Sequence, residues 1–301
     1  MRKEKKYHGI VVPMITPVTE KGRIDEGAVE KIIAGFVSAG VFPFIIGTTG
    51  ESSSIPESEK IKFVECAGEN FREQTTLYAG ISGNSLQTSI DAAKKYFDLG
   101  VDVVVANLPS YYKLTEMQML NYFIKLVENI PGPLIVYNIT ATTHMSIPLS
   151  VVDTLSEHPR VVGFKDSERD EKRLHDSISR YKEREDFSYL IGWAAQSLNG
   201  LKAGADGLVP SSANIAPLMY KELYDAVLKE DYSRAAELQE ITDNISKIYQ
   251  KDRTLGESLA GLKIMMNEAG LCGTNMLPPL SMLDGEADTV IRAKMGNLEI
   301  R

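Results

Sequence analysis

The chain is poor in cysteine: its 301 residues include only Cys66 and Cys272, far apart in the sequence. Two isolated thiols build neither a disulfide framework nor a cysteine-based metal centre, so a reducing cytoplasm is the expected location. Histidine is scarce too, with four residues. His8, His158 and His175 show no metal-ligand spacing, and no metal site is expected. Positive charge is in deficit, 33 Lys and Arg against 41 Asp and Glu, for a net charge of −8. Without a basic excess to displace counterions, nucleic acid is not an expected partner. No apolar stretch approaches the roughly 18 residues of a membrane span. The opening MRKEKKYHGI carries charge but no apolar centre of a signal peptide, so neither export nor a membrane partner is expected.

Two glycine-rich phosphate motifs are also missing. No dinucleotide fingerprint follows the first apolar run, and the GTTGES of Gly47 to Ser52 lacks the Gly-Lys-Ser/Thr of a P-loop. What is present is an ordinary globular composition, 43% hydrophobic and 25% charged. It is written as a repeated unit. Asp25 is a plausible cap for a helix with Val29, Ile32, Ile33, Phe36 and Val37 on one face, and Gly40 ends it. The next apolar run, Phe42 to Ile46, leads through GTTGES to Pro56, which opens a helix carrying Ile61, Val64 and Ala67. Ser85 then caps a helix with Leu86, Ile90, Ala93 and Phe97 along one stripe.

Apolar runs centred near residues 10, 44, 79, 104, 135, 163, 190 and 208 give eight strands with helical stretches between them. Eight such units predict an α/β fold, a (β/α)8 TIM barrel, over residues 1–230. From residue 231 the strands stop. Ala235, Leu238, Ile241, Ile245 and Ile248 form one helical stripe, and Leu255, Leu259, Leu262 and Met266 form another. Residues 231–301 are therefore expected to be a C-terminal helical extension packed on the barrel and available for subunit contact.

In barrels of this kind the working residues sit at the carboxyl ends of the strands. Thr48 and Thr49 follow strand two, Tyr111 and Tyr112 follow strand four, Tyr137 ends strand five and Lys165 ends strand six in VVGFKD. A lysine whose stem packs in an apolar end has a desolvated amine, and loss of hydration favours the nucleophilic form. That is what a Schiff-base lysine needs. A phenol beside it can relay the protons of carbinolamine formation and dehydration if another hydroxyl orients it. The Gly47–Ser52 turn offers backbone N–H groups suited to a carboxylate, the group of a 2-oxo acid that must be held still while its carbonyl reacts. The plainer reading makes Lys165 a snorkelling residue paired with Asp166 or Glu168.

GTTGES, Tyr111-Tyr112, Tyr137-Asn138 and GFKD around Lys165, in this order and spacing, resemble the dihydrodipicolinate synthase and N-acetylneuraminate lyase family of class I pyruvate-dependent aldolases. The resemblance runs from about Gly9 to at least Asn214. It implies a carbon–carbon lyase with no cofactor beyond a covalent pyruvate imine on Lys165, and Tyr137 as the proton-transferring residue. Thr48 would link Tyr137 to Tyr112, contributed across a tight dimer of a homotetramer. Thr49 would bind the pyruvate carboxylate, with Gly192 and Val209 lining the pocket.

The second-substrate half departs from the family pattern. Thr142 stands where the synthases usually carry an arginine that receives the aldehyde substrate's carboxylate, and Trp193-Ala194 replaces acidic or polar residues after the strand-seven glycine. Hydroxyls at Thr140, Thr142, Thr143, Ser211 and Ser212, with His144, instead suit a neutral polyol aldehyde. The expected partners are thus pyruvate and a small aldehyde, and the expected activity that of a 2-keto-3-deoxy sugar acid aldolase. The alternatives are 4-hydroxy-tetrahydrodipicolinate synthase, a sugar acid dehydratase using the same imine, and a pyruvate-binding barrel without turnover.

Overall fold

The eight apolar runs become eight parallel strands in the computed structural model, which describes residues 5–296 and Leu298. The ends of the two segments expected above, residues 1–4, 297 and 299–301, lie outside the described residues. The strands are β1 (Gly9–Pro13), β2 (Phe42–Ile45), β3 (Tyr78–Gly80), β4 (Val103–Ala106), β5 (Leu134–Asn138), β6 (Val161–Asp166), β7 (Ser188–Ile191) and β8 (Gly207–Leu208). They pair in sequence order, and β1 closes the ring on β8 through Gly9 with Gly207 and Ile10 with Leu208. Because both faces of such a sheet are covered, its strands read as nearly unbroken apolar runs rather than as alternation. This is the barrel expected from the sequence.

Helices α1 (Glu26–Ser38), α2 (Glu57–Phe71), α3 (Leu86–Asp98), α4 (Glu116–Glu128), α5 (Thr140–Thr143), α6 (Leu149–Ser156), α7 (Glu171–Tyr181), α8 (Ser197–Ala203) and α9 (Pro217–Leu228) connect and surround the strands. Local chemistry sets several of their ends. Asp25 accepts from Ala28 N at 3.2 Å to cap α1, and Gly40 at φ 68° ends its exit turn. On α3 the buried aromatic is Tyr96 and not Phe97, so the packed face is rotated by one residue from the expected stripe. Tyr96 is the residue that continues the face of Ala92 and Ala93 one turn on.

Apolar side chains form two clusters. One lies inside the ring and includes Val11, Phe44, Tyr78, Val105, Ile135, Tyr137, Leu190 and Val209. The other fills the space between the strands and the helices and runs on into the C-terminal region. There α10 (Tyr232–Gln250), α11 (Leu255–Glu268) and α12 (Gly285–Met295) contribute Ala235, Leu238, Ile245, Leu262, Met265, Met266 and Ile291 to the same cluster. On α11 every residue from Ser258 to Met266 is buried. It is an enclosed helix rather than the one-sided surface helix that its leucine spacing suggests.

Candidate active site

Residues in a strand point alternately to its two faces, so the last two positions of β5 and β6 divide the work. Tyr137 stands opposite Lys165, and Lys165 opposite Leu190, across the β5–β6–β7 ladder. Tyr137 and Leu190 belong to the cluster inside the ring. The Lys165 Nζ lies 3.7 Å from the Tyr137 ring centroid and 5.0 Å from that of Phe44. The whole residue is 5% exposed. Burial lowers the Lys165 pKa from its ordinary value, and the Tyr137 phenol works in the opposite direction through charge and a hydrogen bond.

The neighbouring pair faces outward and takes up the charge. Asp166 Oδ2 accepts from Arg173 Nε at 2.6 Å, and Oδ1 accepts from Asn138 Nδ2 at 2.8 Å. Glu168 accepts from Asn138 Nδ2 at 2.8 Å and from Ser146 Oγ at 2.6 Å. Asn138 also accepts from Ile147 N at 3.0 Å, and Arg173 donates to the Ile147 carbonyl at 2.9 Å. Asp166 and Glu168 are therefore engaged elsewhere. Among the described residues no carboxylate pairs with Lys165, so the plainer reading of a snorkelling ion pair is corrected. Asp166 points away because it follows Lys165 by one position in an extended strand.

The Gly47–Ser52 turn is shaped by close packing. Ile46 takes a left-handed φ of 55°, unusual for a β-branched residue. Its carbonyl lies where a Cβ on Gly80 would come to 2.0 Å, a space that only glycine leaves open. Within the turn Gly50 N donates to Gly47 O at 3.0 Å and Glu51 N to Thr48 O at 3.1 Å. The N–H groups of Thr48 and Thr49 donate to no acceptor among the described residues. Two adjacent unpaired donors beside an apolar barrel mouth form a concavity for an anion. Both threonines are half-buried.

Other sequence-predicted residues are distributed less evenly. Val209 is in the interior cluster with Tyr137. Gly192 is packed so closely that an added Cβ would meet Ser167 Oγ at 2.0 Å, and its N–H donates to Asp166 O at 2.7 Å. Trp193 packs against the outer cluster instead. Thr142 is half-buried on α5. Tyr111 and Tyr112 are 78% and 73% exposed, edge to face with centroids 4.9 Å apart. No hydrogen bond joins Tyr137, Thr48 and Tyr112 among the described residues of this single chain.

Two expected substrate hydroxyls are structural. Ser212 is fully buried and hydrogen-bonds Tyr220 Oη at 2.6 Å and Ser246 Oγ at 2.9 Å. Thr143 is buried and donates to the Ile139 carbonyl at 2.9 Å, closing the turn of α5. Each satisfies a buried polar group that would otherwise be costly. Ser211 hydrogen-bonds Tyr249 Oη at 2.7 Å. Thr140, Thr142 and the exposed His144 remain at the mouth without such partners in the interior.

Sequence reasoning missed Phe44, which supplies the second ring near the amine, and the outward network of Asn138, Asp166 and Arg173. The period of two along β5 and β6 was the available signal for the network. No helix is long and apolar enough to cross a membrane among the described residues.

Comparison with known proteins bears on the same site. The model of the "Dihydrodipicolinate synthetase family" matches residues 6–297. The 4-hydroxy-tetrahydrodipicolinate synthase of Herminiimonas arsenicoxydans is 29% identical over 288 residues, 95% of this chain and 97% of that one. An uncharacterized DapA-like lyase of Thermococcus kodakarensis is 31% identical over 289 residues, with 95% and 97% covered. Dihydrodipicolinate synthase from Bacteroides thetaiotaomicron superposes with a TM-score of 0.93 at 26% identity, covering 98% of this chain and all of that one. YagE from E. coli K12, a prophage protein of the same family solved with pyruvate, gives 0.92 at 25% identity, with 98% and 100% covered. The chain thus belongs to the dihydrodipicolinate synthetase family, and with it to the carbon–carbon lyases that form a Schiff base with pyruvate.

Proposed function

We propose that this chain is a 2-keto-3-deoxy sugar acid aldolase in which Lys165 carries the imine. The carrying observation is the amine of Lys165, buried and without a carboxylate partner, 3.7 Å from the Tyr137 ring centroid. Neutral Nζ attacks the pyruvate C2 carbonyl, and the carbonyl oxygen leaves as water after gaining two protons, leaving a protonated imine. The phenol of Tyr137 passes those protons. Loss of a methyl proton gives the enamine, whose carbon attacks the aldehyde; hydrolysis of the imine releases product and restores Lys165. Cleavage runs the same steps backwards.

The N–H groups of Thr48 and Thr49 hold the pyruvate carboxylate, while Gly192 and Val209 line the pocket around its methyl side. The Thr48 hydroxyl links Tyr137 to Tyr112 of a second copy, and the exposure of Tyr111 and Tyr112 supports their use as a contact in a homotetramer built as a dimer of dimers. Thr142 borders the aldehyde; Trp193, packed against the outer cluster, is the weaker candidate for that role. A threonine cannot make the charge-assisted bidentate contact with a carboxylate that an arginine makes, which favours a neutral polyol partner. The imine needs no further cofactor. Unpaired cysteines at positions 66 and 272 support a cytoplasmic location.

One observation favours a second reading, 4-hydroxy-tetrahydrodipicolinate synthase: the Herminiimonas relative bears that name. Coupled assays of pyruvate with neutral polyol aldehydes and with aspartate semialdehyde separate the two. At least tenfold higher kcat/KM with a polyol aldehyde is expected, and the reverse ratio would establish the second reading instead.

A further inference from the structure

The C-terminal helices reach into the Gly47–Ser52 turn through one buried ion pair. Lys263 of α11 is 1% exposed, and its Nζ lies 2.5 Å from Glu51 Oε1. The same Nζ donates to the Asn275 carbonyl at 2.6 Å. Glu51 Oε2 accepts from Leu277 N at 2.8 Å. Asn275 in turn donates to the Val18 carbonyl at 3.1 Å. Glu51 thus links the turn after β2 to α11 and to the segment that follows it.

At Glu51 the backbone also bends. Its φ of 57° is left-handed, its N–H donates to Thr48 O at 3.1 Å, and its carbonyl accepts from Ser54 N at 2.8 Å. Thr16 Oγ1 holds the Gly50 carbonyl from the other side at 2.6 Å. The side chain of Glu51 therefore fixes the residue that closes the turn over Thr48 and Thr49. A carboxylate at this depth, two positions from Thr49, would repel an incoming carboxylate if it stood alone, because charges act strongly where water is excluded. Lys263 cancels that charge from the far side of the turn. An ammonium inside a helix buried on all sides from Ser258 to Met266 is itself costly, and Glu51 and the Asn275 carbonyl supply its compensation.

We propose that Lys263 is a positioning residue that acts through Glu51 to hold the Gly47–Ser52 turn in its carboxylate-binding shape, so that the C-terminal helices set the barrel's affinity for a 2-oxo acid. This rests on the reading of the turn as the pyruvate carboxylate cradle. A shift of the donors by about 1 Å is enough to weaken such a contact severely.

The test uses the full chain with three readouts: circular dichroism for folding, borohydride trapping titrated with pyruvate, and peptide hydrogen exchange with and without pyruvate. In the unaltered protein, trapping at Lys165 and slowed exchange across residues 46–54 report on the cradle reading itself. Slowed exchange at residues 272–280, which contain the Leu277 N–H bound to Glu51, reports on the coupling. Lys263→Met is expected to raise the half-saturating pyruvate concentration at least tenfold. Lys263→Met combined with Glu51→Gln removes the lone charge and is expected to raise it at least fivefold, with the trapping rate at saturation within twofold of the unaltered protein. A purely structural role would lower the trapped fraction and leave half-saturation where it was. Folded variants with unchanged half-saturation overturn the proposal. Should neither variant fold, the unaltered protein decides: protection at residues 46–54 without any at 272–280 overturns the proposal while leaving the cradle reading intact.

Discussion

At Lys165 the amine has two aromatic rings within reach, Tyr137 at 3.7 Å and Phe44 at 5.0 Å, and water is nearly excluded. Rings attract an ammonium, but desolvation is the larger effect and holds the Lys165 pKa below its ordinary value of 10.5. This has a cost for folding. Between the lowered folded value and the ordinary unfolded one, the unfolded chain binds more protons, so stability rises with pH through that window. Lys165→Met keeps the stem and removes the amine. Its melting temperature is expected to exceed that of the unaltered protein near neutral pH, with the gain shrinking as pH approaches 10.5. A variant that melts lower, or a gain independent of pH, would contradict a dry amine. The type and position of Lys165 were readable from VVGFKD, whereas its freedom from Asp166 was not. That depends on Arg173 coming back from α7 to take the carboxylate at 2.6 Å.

At the scale of elements, the ends of β5 and β6 are joined on their outer face by Asn138, Asp166 and Arg173, with Ile147 bound from both Asn138 and Arg173. The network ties the segment after β5, which carries Thr142, to the strand that carries Lys165. Arg173→Met would leave the Asp166 carboxylate buried with its ion-pair partner gone. A loss of about 3–5 kcal/mol in urea unfolding is expected, the usual consequence of breaking a buried pair from one side. A loss below about 1 kcal/mol would mean that Asn138 and the local N–H groups suffice. Strand positions were legible because parallel strands buried on both faces are apolar throughout. On α11 the stripe of Leu255, Leu259, Leu262 and Met266 marks one face, while Ala260, Gly261 and Ile264 bury the others, and small or scattered apolar residues of that kind carry no periodic signal. Leu255 itself is 46% exposed. Lys263 gave no sign of its depth, since a lysine among apolar residues reads as the solvent side of a helix until Glu51 is known to face it.

For the whole molecule, ring closure was foreseeable from eight repeated units, but the reach of the C-terminal region was not. It shares the outer core with the barrel and touches strand-end loops through polar side chains. Gln239 of α10 accepts from Leu198 N at 2.9 Å and donates to the Ala194 carbonyl at 3.1 Å, beside Trp193. Tyr249 of the same helix meets Ser211 after β8. Contacts this distant in sequence carry no local periodicity: Ser212, expected as a substrate hydroxyl, is a buried partner of Ser246 of α10 as well as of nearby Tyr220. The fold places the desolvated amine of Lys165 at the carboxyl end of a closed barrel, without a carboxylate partner among the described residues. Intact and peptide mass spectrometry after incubation with pyruvate and sodium borohydride tests whether that amine does covalent chemistry. One reduced pyruvate adduct per chain, mapped to Lys165 and lost in Lys165→Ala, is expected; an unmodified chain, or an adduct on a different lysine, would contradict it.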